Sequence, residues 1–465
     1  MLVLSAAIAM SLCQAAFAET VEMNLDDAMQ RAFNTNPAIS IADYNVKAAK
    51  ASYDAAKQSR FGSISARHNF DRGGNNSYYK NQKGEWTKGL DNGVSSGVSA
   101  SIPIYTGGAK SGSIKSAKAG YKSALAGKQS AYNDMRATVT DGYFTVLQTD
   151  NLQKLGKESV DRLQDHLKNV QAQYDVGVVA KVDVLRSQVE LSDAEQSLIK
   201  YQNAHQVAVA NLDKIVGLPL DTELKLDNIL VYTPYEKDLD YCLGYASTHR
   251  PELEQAKQRV EAAHGSLLVA RSGYQPSISA SASQSWSGEH GFASSDNRNW
   301  GVGVGVSMTI FDNGVTFSKI HGAKADLASA EEAYRDTVDS INLDVRSTYL
   351  NMREAEKRIH TTDVAVERAQ EDYRIAQLRY QAGVGTNTDV IDASVALTNA
   401  QVNYLQALYD YNMCKTDLQN AIGEPMYFPT NFTVEMAPKT EIAKYEAKKA
   451  AKAAKKMAAK ANKEA

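Results

Sequence analysis

The chain is written twice. Ile102 to Pro219 align without a gap onto Met308 to Pro425 at an offset of 206, through Ile104/Ile310, Gly108/Gly314, Tyr143/Tyr349, Leu212/Leu418 and Gly217/Gly423. Upstream the offset is 214, pairing Pro37 with Pro251 and the tetrapeptide SISA at 63–66 with SISA at 277–280. The extra residues of the first half fall in the Gly/Asn-rich stretch 71–93, which reads as a loop between two strands. A period of 206 is far too long for a solenoid unit, so the fold must be built from two copies of one element series.

Each copy has the same order of elements. The first repeat is expected over 19–220, with an opening helix, a β-hairpin at 61–105 and a long helical hairpin at 109–216. The second is expected over 221–430, with a β-hairpin at 275–311 and a helical hairpin at 315–422. The opening helices begin beside Asn36 and Arg250, each followed by a proline suited to a first helical turn. In the strand segments Val302, Val304, Val306, Met308 and Ile310 alternate with Gly301, Gly303, Gly305, Ser307 and Thr309. The first half echoes this with Val98, Ala100, Ile102 and Ile104. One face is apolar and the other small or polar. That pattern suits a strand between lipid and a wet lumen, and equally a soluble sheet with one buried face.

Beyond the strands, no proline occurs between Pro103 and Pro219 or between Pro276 and Pro425. Val160, Leu163, Leu167, Val170 and Tyr174 step by three and four, as do Val366, Ala369, Tyr373, Ala376 and Tyr380. Ile391, Val395, Thr398, Val402, Leu405 and Tyr409 form a similar seam. These are heptad-like stripes, expected of helices packed side by side in a wall. A helix from 109 to 174 would run ~100 Å at ~1.5 Å per residue, beyond any compact domain. The phrase Y-x-x-G-x5-D-V closes it in both halves, as YDVGVVAKVDV from Tyr174 and YQAGVGTNTDV from Tyr380. Gly177 or Gly383 stops one helix, and Asp183 or Asp389 lies near the cap of the returning one. The phrase is a helical-hairpin tip, and duplication gives two.

The termini carry different signals. An apolar run and AFA at 16–18 read as an export signal over 1–18, with Cys13 part of it. Cys242 and Cys414 show no disulfide-framework or metal spacing. No later stretch approaches the ~20 apolar residues of a spanning helix, so any membrane entry must be by strands. The formal charge of -3 hides nine Lys and three Glu in 438–465, which leaves -9 for the rest (-3 minus +6). The Lys/Ala-rich tail at 431–465 is a solvated, helix-prone appendage that could touch an anionic surface. Nothing points to nucleic acid. GVSSG at 93–97 sits in an alternating strand without a following helix, so it is no nucleophile elbow. GVGVGV at 301–306 lacks the last glycine of a dinucleotide loop, and the eight His show no i, i+3 or i+4 pairing.

Four strands cannot close a membrane barrel, because single-chain barrels begin at about eight and an open edge in lipid leaves backbone groups unsatisfied. Two copies would give a filled barrel and three a pore. At this point the duplicated halves, strand pairs, long helices and repeated tips resemble the TolC-type outer-membrane efflux protein family, over residues 24 to 430. The resemblance implies a mainly α fold with membrane β. Four helix sets per chain would form a trimeric α-helical barrel, joined to a shared 12-stranded transmembrane β-barrel.

It implies a homotrimer in outer-membrane lipid, coupled to a periplasmic adaptor protein and an inner-membrane transporter. The function implied is a passive exit duct for efflux or type I secretion, with no catalytic residue, metal or cofactor. Asp389 and Asp392 match the family's constriction acids, spaced to lie on one helix face and form stacked rings. Read without the family, they are a helix cap and a solvated first-turn acid. Tyr380 and Asp183 match the family's tip lock; read alone, Tyr380 ends a packed seam. Val176, Gly177, Val178, Ala382, Gly383 and Val384 are the tip turns and the expected adaptor surface. Gly385 stands where the best-known members carry an Arg, and Val182 replaces a polar neighbour of Asp183, so the resting closure is expected either to be looser or to use Lys181 or Arg186 for a second tie. The competing reading is an outer-membrane-anchored periplasmic tether without a conducting pore.

Overall fold

The computed structural model describes residues 20–80, 83–220, 222–288 and 298–424. The export signal read at 1–18 and the basic tail at 431–465 lie outside these. The first repeat runs β1 (Thr20–Met23), α1 (Leu25–Thr35), α2 (Pro37–Gln58), β2 (Ser63–Lys80), β3 (Trp86–Thr106), α3 (Ala109–Asp175) and α4 (Lys181–Val216). The second runs β4 (Glu223–Leu226), α5 (Leu239–His249), α6 (Pro251–Arg271), β5 (Ser277–Gly288), β6 (Arg298–Ser307), α7 (Val315–Gln381) and α8 (Asn387–Ile422).

Helices dominate. α3 and α7 are each 67 residues long and α4 and α8 each 36, so the duplication is exact in length where the sequences have diverged. At ~1.5 Å per residue the longer pair reaches ~100 Å. No described helix is long and apolar enough to cross a membrane.

The shorter helices build columns beside the long ones. Thr35 Oγ1 donates to the Val216 carbonyl at 2.9 Å and Asn36 Nδ2 to that of Ile215 at 3.0 Å, which seats α2 on the end of α4. In the second repeat Arg250 Nη1 donates to the Ala421 carbonyl at 2.9 Å and seats α6 on α8. A helix end leaves its last carbonyls without intrahelical partners, and here the next helix supplies the donors. The sequence suggested one opening helix per half; α1 and α5 precede it because Asn36 and Arg250 turn extended before their prolines.

Arg250 also lies over a polar cavity of ≈ 300 Å³ with Asp134, Glu252, Asp344 and Asp417. At the equivalent places of the other repeat stand Asn36, Ser340, Ala38, Thr138 and Asn211, so the charged junction belongs to one repeat only.

The β-hairpins join into one four-stranded antiparallel sheet, ordered β2-β3-β5-β6. Its registers align like with like. Ile64, Ala100, Ala282 and Val302 form one cross-strand row, and Ser65, Ser99, Ser283 and Gly301 form the next. Rows therefore alternate between an apolar face and a face of serine and glycine. Along β6 the apolar face is open, with Val302 76% and Val304 68% exposed. Among the described residues no layer packs on these valines, as a soluble sheet within one chain would require. β1 and β4 pair in parallel as a separate two-stranded sheet.

Candidate functional site: the helical tips

Both hairpins turn by the same device. Gly177 has φ +79° and Gly383 φ +75°. The amide of Val178 donates to the Gln173 carbonyl at 2.8 Å, and that of Val384 to Arg379 at 3.0 Å. These bonds close the ends of α3 and α7 around a left-handed residue, a conformation that glycine adopts without a Cβ penalty. Val176, Val178, Ala382 and Val384 are exposed around these turns.

Inside the tips the hairpins pack together. Val170 of α3, Val184 of α4, Ala376 and Tyr380 of α7, and Val390 and Ala393 of α8 form one buried cluster. Tyr380 Oη donates to Gln173 Oε1 at 2.8 Å. Asp183 is near enough that its charge, after burial itself, raises the phenol above its ordinary value. Within one chain the Tyr380 hydroxyl therefore bonds to Gln173 of α3, with Asp183 acting on it through charge.

Asp389 is committed to its own helix. Thr386 Oγ1 accepts from the Asp389 amide at 3.1 Å, and Asp389 Oδ2 accepts from the Thr386 amide at 3.0 Å, a reciprocal capping box. Hydrogen bonds from the Thr386 backbone and side chain to the carboxylate, with help from Arg379, hold it below the usual range. That direction is opposite to the one expected of a cluster of like charges. Asp392, one turn on, is exposed.

A third acid joins them. Arg186 Nη1 donates to Thr388 Oγ1 at 2.7 Å and Ser187 Oγ to Asn387 Oδ1 at 3.3 Å, so this face of α4 lies against the start of α8. One turn further, burial and then the charges of Asp193 and Asp392 raise the Glu190 carboxyl. Sequence reasoning missed Glu190, although its spacing of seven from Asp183 put it on the same helix face.

Gly385 fits closely. A Cβ there would lie 3.0 Å from the Tyr380 nitrogen and 3.1 Å from Arg379 Cβ. The nearby positive charges come from Arg379, beside Asp389, and from Arg186, whose guanidinium reaches Thr388.

Against known proteins, residues 28–218 and 243–424 match a family model described as outer membrane efflux protein. The chain is 25% identical over 295 residues to the outer membrane protein TolC of Escherichia coli K12, covering 60% of this chain and 59% of that protein. It is 23% identical over 320 residues to the toluene efflux pump outer membrane protein TtgC of Pseudomonas putida, covering 67% and 64%. The alignments thus span less than two thirds of those relatives' own length. In three dimensions the chain superposes on the outer membrane protein VceC of Vibrio cholerae with a TM-score of 0.75 at 19% identity, covering 86% of this chain and 96% of that one.

Proposed function

Because the chain belongs to the outer membrane efflux protein family and resides in the outer membrane, we propose that three copies form a passive exit duct gated at its periplasmic tips. The carrying observation is the sheet. Among the described residues both of its edges, β2 and β6, lack a partner strand, the valines of its apolar face on β6 are exposed, and its other face is rich in serine and glycine. Lipid does not tolerate unpaired backbone edges, so β6 of one copy would pair with β2 of the next. Three copies give twelve strands and a barrel wide enough to hold water along the Ser/Gly face. The exposed apolar side chains Leu343, Leu350 and Leu378 of α7, and Val182, Leu185 and Val189 of α4, would face neighbouring helices in such a ring.

The duct has no chemistry of its own to perform and takes no cofactor. We assign the energy to an inner-membrane transporter and the coupling to a periplasmic adaptor that grips Val176, Val178 and Val384. Gly177, Ala382 and Gly383 shape those turns, and Tyr380 with Asp183 lies behind them as a tie between the hairpins. Asp389 and Asp392 would ring the constriction in three copies, with Glu190 behind Asp392. A ring of carboxylates passes cations in preference to anions.

The test is the reversal potential of the purified protein in a planar bilayer under a salt gradient. Cation-selective steps that lose their selectivity in Asp389→Asn/Asp392→Asn support the constriction. Silence from protein shown to be folded and inserted, in both forms, would replace the duct with a tether.

A further inference from the structure

One buried side chain at the tips, which the sequence did not single out, bonds to both helices of the other hairpin. Asn387, the first residue of α8, is 4% exposed. Its Nδ2 donates to the Asp183 carbonyl of α4 at 3.0 Å. Its Oδ1 accepts from Ser187 Oγ of α4 at 3.3 Å and meets His166 Nε2 of α3 at 2.6 Å. The amide's orientation fixes the imidazole. Since Nδ2 is spent on a carbonyl, Oδ1 must be the acceptor, so His166 Nε2 carries the hydrogen and Nδ1 is bare. The His166 ring, 7% exposed, stands edge-on to Tyr380 with centroids 5.3 Å apart.

We propose that Asn387 is the latch holding the two helical tips of one protomer together, and that protonation of His166 releases it. The proposal rests on the duct reading only for what the parted tips would let pass. Separating α7 and α8 from α3 and α4 must break all three bonds of Asn387 at once, and each would leave a buried polar group without its partner.

Among the described residues the ring's polar contact is with a neutral amide. The titratable and charged groups within two turns of the hub are Asp161, Arg162, Asp165 and Lys168 on α3, Lys181, Asp183, Arg186, Glu190 and Asp193 on α4, Tyr373, Arg374, Arg379 and Tyr380 on α7, and Asp389 and Asp392 on α8. Arg162 is bonded to Thr398, Asp165 to Lys168, Arg186 to Thr388, Tyr380 to Gln173 and Asp389 to Thr386. Among the described residues no carboxylate bonds either ring nitrogen. Burial, outweighing the bond to Asn387 that favours the charged ring, holds the imidazole below its ordinary value of 6.5 while the tips are together, and access to water would restore it when they part. The closed form therefore binds fewer protons than the open one. Opening gains as pH falls through the open-state value and is lost as pH rises.

The test places spin labels at Val178→Cys and Val384→Cys in a Cys242→Ser/Cys414→Ser background, diluted with unlabelled chains so that distances are read within one protomer. Conductance is recorded from the same preparations. The latch predicts one short distance at pH 7.5 and a longer population at pH 5 in the parent. His166→Gln, whose amide can donate to Asn387 but does not titrate, should keep the short distance at both. Asn387→Ala should show the longer one at both. Conductance of the parent should rise several-fold on acidification and that of His166→Gln should not. A parent whose distances ignore pH, or a folded Asn387→Ala that keeps the short distance, would overturn the latch. Distances that behave as expected without conductance at any pH would uphold the latch and remove the duct.

Discussion

Asp389 of α8 and Glu190 of α4 occupy opposite electrostatic situations at the same tip, and that orders their titration. Two donated hydrogen bonds and Arg379 stabilise the ionised Asp389, so its contribution is present above the ordinary 3.8 and fades only as pH falls through a still lower value. Burial and two neighbouring acids destabilise the ionised Glu190, so it discharges above the ordinary 4.5. Reversal potentials measured from pH 7 downward should lose cation preference in two steps, Glu190 before Asp389. Glu190→Gln should abolish the first step and leave the second; an unchanged titration would place Glu190 outside the conducting path. At the cap, Thr386→Ala should lower stability by about 1 kcal/mol, seen as a lower thermal midpoint. At this scale the sequence was legible where the backbone forces a residue type. The tip glycines follow from a left-handed turn that occurs twice. His166 was not legible, because its partner lies 221 residues away and a lone histidine leaves no spacing to read.

The helices were legible for a different reason. Freedom from proline over more than a hundred residues and a three-and-four stripe act along the chain, and both survive in the sequence. The columns were not, since they depend on carbonyls meeting donors from another part of the chain. Asn36 reaches 179 residues to Ile215, and Arg250 reaches 171 to Ala421. β1, β4, α1 and α5 are too short to show a period. The two repeats offer an internal control for the columns. A guanidinium half-buried among carboxylates makes stronger bonds than a neutral amide, about 1.5–3 against about 1 kcal/mol each. Arg250→Ala should therefore lower the thermal midpoint more than Asn36→Ala, and equal shifts would show that the charged junction adds nothing. The upper wall has a tighter constraint. A Cβ on Gly112 of α3 would lie 2.5 Å from the Gly265 carbonyl of α6, and one on Gly265 2.7 Å from that of Gly112. Gly265→Val should push these helices apart and lower the thermal midpoint well beyond the effect of Gly244→Ala, where nothing lies within 4 Å.

For the whole molecule the sheet decides what the chain is for. Alternation in the sequence identified the strands but left their apolar face with two interpretations, and only the three-dimensional arrangement showed that among the described residues Val302, Val304 and Val306 are left exposed. The rows then make a paired prediction. Val304→Arg on the apolar face should cost about 2–4 kcal/mol if it lies near the bilayer midplane and should block insertion. Gly303→Arg, one residue away on the serine face with open space around it, should insert normally and reduce conductance. Equal tolerance of both substitutions in a membrane-flotation assay would refute the assignment of faces. The most direct measurement is an electron cryo-microscopy reconstruction of the protein in lipid nanodiscs. The account predicts three copies, β6 of each paired with β2 of the next, and a continuous water-filled passage from the strands down to the joined tips. Two copies around a filled barrel, or three whose helices pack into a solid rod, would contradict it.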